Sequence, residues 1–365
     1  TRQLSAAPVA ACGPSGGALG EKNKGATTPE TDLSWHPDIL PGYEARYVNQ
    51  GEAFDGPCRS TIVRLRSGKP TRRAYLYIHG FNDYFFQGEM GRLFADSAFN
   101  FYAVDLRRYG RSRQPWQYPF NVRDMQEYFA DIDSALSQIP RAGNVDITLS
   151  GHSTGGLTAL YYAARRGARC GVKRVVTDSP FLEWNYNAFY RNFLVPMVSG
   201  VGKVVKDAKI KQAHGDCYAG SLLDSCHGRW NYDTEWKMPY SPPVTMSWIG
   251  AIDGAQGYLM RHSRNITVPV LVMHSSRKVE GCGWTEEFMH GDAVLDPAML
   301  QERGVKIGAE VRTVDGGLHD LILRLPAPRR QAYDYIYDVI RTHCEPNGDE
   351  RRIDHSPATL PLLPF

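Results

Sequence analysis

Residues 146–156, Asp-Ile-Thr-Leu-Ser-Gly-His-Ser-Thr-Gly-Gly, constrain this chain more than any other stretch. Val145, Ile147 and Leu149 alternate as a strand does, and the run from Leu157 to Ala164 is made of helix-compatible residues. Between them, Gly151-His152-Ser153-Thr154-Gly155 has the spacing G-x-S-x-G. A strand that becomes a helix within so few residues bends sharply, and Gly151 and Gly155 are small enough to allow it. The bend is expected to lift the Ser153 Oγ clear of a sheet. A serine hydroxyl is a weak nucleophile until it is exposed, fixed and given a base.

The surrounding pattern repeats the strand-then-helix theme. Residues 43–49 and 61–65 read as an opening hairpin, 73–79 as a buried strand and 88–97 as a helix. A strand over 101–106 follows, then an amphipathic helix over 122–139 stopped by Pro140. Beyond the serine come strands at 172–177, 268–273 and 311–314 and a closing helix over 329–342. Such alternation predicts an α/β fold with a mostly parallel central sheet flanked by helices. Sites in these sheets lie past the carboxyl ends of strands. His79, Asp105, Ser153 and Asp178 all fall there.

Residues 183–265 break the alternation. They are rich in aromatics, among them Trp184 and Trp248, and carry two cysteines. An insertion between sheet strands above a nucleophile is expected to form a cap, with most rings packing and a few lining a pocket. The expected division is a flexible tail over 1–35, a core over 36–182 and 266–345, the cap over 183–265, and a second tail over 346–365. Thr1 in place of methionine reads as a processed, trimmed or engineered start. Val9-Ala10-Ala11-Cys12 looks like a lipid-attachment box without the apolar run that should precede it.

Composition narrows the partners. A net charge of +3 is too small to argue for nucleic acid or an anionic membrane, and no run of eighteen apolar residues could span a bilayer. The seven cysteines form no CxxC pair, and no HExxH, GxGxxG after a strand, or GxxxxGK[ST] occurs. Neither metal nor cofactor is therefore expected. Cys217 and Cys226 could bridge, which would suit export, but buried thiols suit the sequence as well. Compartment and oligomeric state stay open.

A reactive serine needs a base, a group to orient that base, and donors for an oxyanion. Gly316-Gly317-Leu318-His319-Asp320 places His319 in a turn before the closing helix, late in the chain, where the base belongs. The orienting acid usually follows the strand over 268–273. Here His274-Ser275-Ser276-Arg277-Lys278-Val279-Glu280 follows it, with no aspartate. Asp292 and Asp296 come next, with Glu280 and Asp178 as alternatives. Val294 and Leu295 suit burial beside Asp292, whereas Asp296 before Pro297 suits a helix N-cap, so Asp292 is favoured. The oxyanion donors are expected to be the backbone amides of Phe81 and Thr154. His79 and His152 read as braces rather than proton carriers.

Together, Tyr77-Ile78-His79-Gly80-Phe81-Asn82-Asp83, Asp105-Leu106-Arg107-Arg108-Tyr109-Gly110-Arg111-Ser112, Gly151-His152-Ser153-Thr154-Gly155-Gly156 and Gly317-Leu318-His319-Asp320 resemble the α/β-hydrolase family. The nearest branch is the serine aminopeptidase S33, lysophospholipase and monoacylglycerol-lipase-like group. The resemblance covers about residues 40–345. It implies the α/β-hydrolase fold with an inserted lid, the nucleophile at Ser153, the base at His319 and the oxyanion donors at Phe81 and Thr154. Asp292-Ala293-Val294-Leu295 matches the family's pattern around its acid, displaced by an insertion over 277–291. The implied activity is a serine carboxylic-ester hydrolase acting through an acyl-enzyme on a small to medium apolar ester, without a cofactor. Phe81, Trp184 and Trp248 are the expected substrate contacts. Two rivals share the residues: a lactonase or amide/peptide hydrolase, with Glu183 or Glu235 as an amine-binding acid, and a non-catalytic binding protein of the same fold.

Overall fold

The structure, a computed structural model, describes residues 34–212, 217–281, 283–323 and 326–343. The tail expected over 346–365 lies outside these residues, as does that over 1–35 except for its last two positions.

The chain opens with β1 (His36–Pro37), β2 (Glu44–Ala53), β3 (Gly56–Leu65) and β4 (Arg73–Ile78), followed by α1 (Gly88–Asp96), β5 (Asn100–Asp105) and α2 (Glu127–Gln138). Next come β6 (Asp146–His152), α3 (Thr154–Arg166) and β7 (Arg174–Asp178). A long excursion holds α4 (Val195–Gly202), β8 (Lys209–Ile210), α5 (Cys217–Leu222), β9 (Val244–Thr245) and α6 (Met246–His262). The chain then returns through β10 (Val270–Ser275), α7 (Pro297–Lys306), β11 (Glu310–Val314) and α8 (Pro326–Thr342).

Nine strands form one sheet in the order β1-β2-β3-β5-β4-β6-β7-β10-β11. From β5 to β11 every neighbour is parallel, and the hairpin β2–β3 joins antiparallel at one side. The parallel strands other than the edge strand β11 are buried on both faces, which explains their largely apolar runs. One apolar layer holds Leu76, Ile78, Leu149 and Val175 with residues of α2, α3 and α6; the other holds Tyr75, Phe101, Val176 and Leu271 with α1 and α8.

The expected elements appear with shifted ends. Pro269 has no amide to give to a ladder, so the strand expected from 268 starts at Val270 and runs on to Ser275. The helix expected from 122 starts at Glu127, because the Glu127 carboxylate turns back to accept from the Arg123 amide at 2.9 Å and holds a turn there. Within the excursion, α6 packs against α3, and its Ile252 and Leu259 join the core. Cys217 and Cys226 are not joined to each other.

Candidate active site

Ser153 sits between the end of β6 and the start of α3 with φ 52° and ψ −118°. Side-chain-bearing residues rarely adopt such a backbone, and holding one there costs about 1–3 kcal/mol. The glycines make the turn feasible. A Cβ at Gly151 would lie 2.3 Å from the Gly155 carbonyl oxygen, and one at Gly155 would lie 2.2 Å from that of His79. Two backbone bonds lock the turn: the Ser153 amide donates to Asp178 O at 2.9 Å, and the Phe181 amide donates to Ser153 O at 2.9 Å.

The structure brings Ser153, His319 and Asp292 together. His319 Nε2 is 3.0 Å from Ser153 Oγ, and His319 Nδ1 is 3.0 Å from Asp292 Oδ2. A carboxylate only accepts, so the imidazole carries its proton on Nδ1 and presents a bare Nε2 to the serine hydroxyl. His319 is 3% exposed and Asp292 is fully buried. Asp292 is held by its other oxygen, which accepts from the Val294 and Leu295 amides at 2.7 and 2.8 Å.

The insertion over 277–291 leaves the end of β10 and comes back to it. Asp292 pairs with Lys278 in a parallel bridge, with the Val279 amide donating to Asp292 O at 2.8 Å and the Asp292 amide to Arg277 O at 2.9 Å. Asp292 thereby stands beside Lys278, three residues past the end of β10. Asp296 is the N-cap of α7, accepting from the Ala298 amide at 3.0 Å. Glu280 pairs with Lys278, and Asp178 accepts from the Leu321 amide.

Ser153 and His319 open onto a cavity of about 380 Å³. Phe81, Thr154, Trp184 and Trp248 line it, so every expected contact reaches the same space. The Phe81 ring is tilted against Trp248 with centroids 4.8 Å apart, and the Trp184 ring centroid lies 6.1 Å from that of Trp248. Glu183 and Glu235, the amine-binding candidates, are not among the lining residues; Glu183 is bound to Arg303. His79 braces the loop before Phe81, accepting from the Leu106 amide at Nε2 (3.1 Å) and donating from Nδ1 to Gly80 O (2.8 Å).

A family profile described as Hydrolase_4, serine aminopeptidase S33, matches residues 69–279, more than half of the chain. The chain belongs to this family. No curated protein matches it. Among solved structures, this S33-family hydrolase is similar to a soluble variant of monoglyceride lipase from Saccharomyces cerevisiae in complex with a substrate analog, at 16% identity and TM-score 0.63, covering 88% of this chain and 100% of that one. The monoacylglycerol lipase of Paleococcus ferrophilus follows at 17% identity and TM-score 0.58, covering 78% and 99%. The α/β hydrolase GrgF from Penicillium sp. sh18 gives 13% identity and TM-score 0.58, covering 83% and 99%. At these identities the likeness is one of fold. Among the described residues of the hydrolase, no helix is long and apolar enough to cross a membrane.

Sequence reasoning passed over a buried charge cluster behind the serine. His152 Nδ1 lies 3.4 Å from Asp178 Oδ2, and its Nε2 lies 3.9 Å from Asp320 Oδ2. Its ring meets that of His319 edge-on at 4.8 Å. The three groups are of metal-ligating type and converge within 4.8 Å. A protonated His152 offsets one of the two carboxylate charges, and His152 Nδ1, Asp178 Oδ1 and Asp320 Oδ2 are buried with no hydrogen-bond partner among the described residues. Burial pushes the imidazole down, but Asp320 and Asp178 outweigh it and raise His152 to about 9. Burial raises Asp320 to about 6 against the pull of His152. A histidine raised from an unfolded value near 6.5 adds stability that is complete below that value and disappears as pH climbs through the folded value. The hydrolase is therefore expected to lose about 3 kcal/mol of stability between pH 6.5 and 9.5, and His152→Asn to flatten that slope. Denaturant midpoints across this window measure it; an equally steep slope in the variant would assign the loss to another group.

The Asp105–Ser112 motif ties the loops beneath the cavity. Asp105 accepts from the Phe85 and Arg111 amides at 2.9 and 3.1 Å, and the Arg111 guanidinium bridges Asp105 and Asp38 at 2.8 and 2.7 Å. Arg107 pairs with the buried Asp131 at 2.7 Å.

Proposed function

We propose that this hydrolase cleaves carboxylic esters through an acyl-enzyme on Ser153. The two 3.0 Å contacts that string Ser153, His319 and Asp292 together at the mouth of an aromatic cavity carry this reading. Ser153 Oγ attacks the ester carbonyl while His319 Nε2 takes its proton. Asp292 keeps the Nδ1 proton in place and stabilises the imidazolium. The amides of Phe81 and Thr154 donate to the oxyanion. His319 then hands its proton to the departing alkoxide oxygen. Water enters, gives a proton to Nε2 as its oxygen attacks the acyl carbon, and the Nε2 proton then passes to Ser153 Oγ as the acyl bond breaks and the acid leaves.

In this reading residues 36–182 and 266–345 are the core and 183–265 the cap. Phe81, Trp184 and Trp248 face the acyl group, and a cavity of about 380 Å³ suits a small to medium chain. A p-nitrophenyl ester series from acetate to palmitate tests the reaction, alongside intact-mass analysis after a fluorophosphonate probe. The expected result is hydrolysis with an optimum at short to medium chains and one adduct mapped to Ser153. An unmodified Ser153 with no turnover on any ester would leave a binding protein.

A further inference from the structure

Some hydrogen-bonding atoms on the cavity wall have no partner among the described residues. The Tyr218 and Tyr232 hydroxyls and Trp184 Nε1 are buried and bond to no described residue. All three residues line the cavity with Ser153 and His319. Tyr232 is 7% exposed and Trp184 8%. A buried polar group left unpaired costs about 1–3 kcal/mol, and native interiors hold few of them. Several on the walls of one cavity indicate that its ligand supplies the missing partners.

The two tyrosines share a side. Both pack in a cluster with Leu222, Leu223 and Leu318, the residue before His319. The Tyr218 ring also meets the His319 ring edge-on at 5.7 Å. His319 delivers its proton to the leaving group, so this is the side on which the leaving group departs. The other side is the aromatic wall of Phe81, Trp184 and Trp248.

Chemistry narrows what the tyrosines bind. Burial pushes both hydroxyls well above the ordinary tyrosine range, with nearby carboxylates adding to it, so each keeps its O–H to donate. Lys237 on the same wall adds N–H donors beyond the bond it makes to Asp83 at 2.9 Å. A set of donors calls for an acceptor. That acceptor is neutral, because the basic side chains among the described lining residues, Lys237, His152 and His319, each already face a carboxylate, Asp83, Asp178 and Asp292 respectively. An anion would meet the field of those carboxylates.

We propose that Tyr218 and Tyr232 form a specificity subsite that donates hydrogen bonds to a neutral oxygen (ether, carbonyl or hydroxyl) on the leaving-group portion of the substrate. This rests on the ester-hydrolase reading for the side it assigns.

The test compares butyl butyrate with 2-methoxyethyl butyrate, nearly isosteric esters that differ by one ether oxygen in the alcohol. Calorimetric affinity for Ser153→Ala reads the subsite without turnover; hydrolysis by the unmutated protein reads the reaction. The ratio of the two affinities is expected to shift toward the butyl ester by about three- to tenfold when Tyr218→Phe or Tyr232→Phe is added. Affinity for the butyl ester should hold or improve, since that ester leaves the hydroxyl it buries without a partner. The melting temperature should hold or rise, since neither hydroxyl bonds to a described residue. A ratio unmoved in both variants overturns the subsite, and so does a melting temperature that drops in both. Tighter binding of the anionic analogue 3-(butyryloxy)propanoate overturns the neutrality of the ligand. A ratio that shifts as expected while neither ester is hydrolysed upholds the subsite and sinks the esterase reading alone.

Discussion

Ser153→Ala is expected to lower kcat by roughly 10⁵- to 10⁶-fold, to the level that oxyanion donors and binding sustain alone. Without Oγ there is no atom to form the acyl bond, and His319 Nε2 faces a methyl group instead of a hydroxyl. The fold should survive. Alanine keeps the same backbone restriction at φ 52° and gives up one hydrogen bond to His319. Ser153→Gly separates catalysis from strain. It is just as inactive, but glycine accepts this backbone freely, so its melting temperature should rise by about 2–4 °C. Steady-state assays and calorimetry on the two variants measure both effects. If Ser153→Ala retains more than a hundredth of the activity, the serine is not the nucleophile.

Asp292→Asn is expected to cost about 10³- to 10⁴-fold in kcat with little change in KM. Both oxygens of this carboxylate are in use, one by the Val294 and Leu295 amides and the other by His319 Nδ1. An asparagine has one oxygen for these two jobs. If it keeps the backbone amides, its NH₂ faces Nδ1 and drives the imidazole proton to Nε2, where it blocks transfer from the serine. If it turns the oxygen to His319, its NH₂ abuts two amide donors. Asp296→Asn is the control. It retains an oxygen to cap α7 and should stay within twofold of the parent. A harmless Asp292→Asn beside a damaging Asp296→Asn would reverse the assignment.

How far this was legible in the sequence depends on the range of each interaction. The turn at Ser153 is local: strand, glycines and helix former lie within twenty residues, and the backbone that results follows from them. His319 could be chosen from eleven histidines because its position before the last helix is a matter of chain order. Asp292 was favoured over Asp296 because Asp296 before Pro297 spells a helix cap, and the structure has that cap. What stayed hidden depends on contacts between distant segments. Tyr218 is one tyrosine among twenty with nothing beside it to mark it. Lys237 and Asp83 are 154 positions apart, and only the path of the excursion makes them a buried pair. Asp320 stood inside a recognised motif, yet its partner His152 sits on another strand end. Short strands such as β8 and β9, of two residues each, carry too little pattern to be seen.

The bridge between Lys278 and Asp292 has a consequence for how such chains tolerate insertions and deletions. The acid's place is set where the loop returns, not by how many residues it spends on the way out. Closing a flexible loop twice as long costs only about 0.6 kcal/mol more. Residues could thus be gained or lost between the two bridge partners without moving the carboxylate from its histidine. In sequences of this kind, counting from the end of the strand would then misplace the acid. A better guide is a buried aspartate followed, two and three positions on, by apolar residues whose amides cap it.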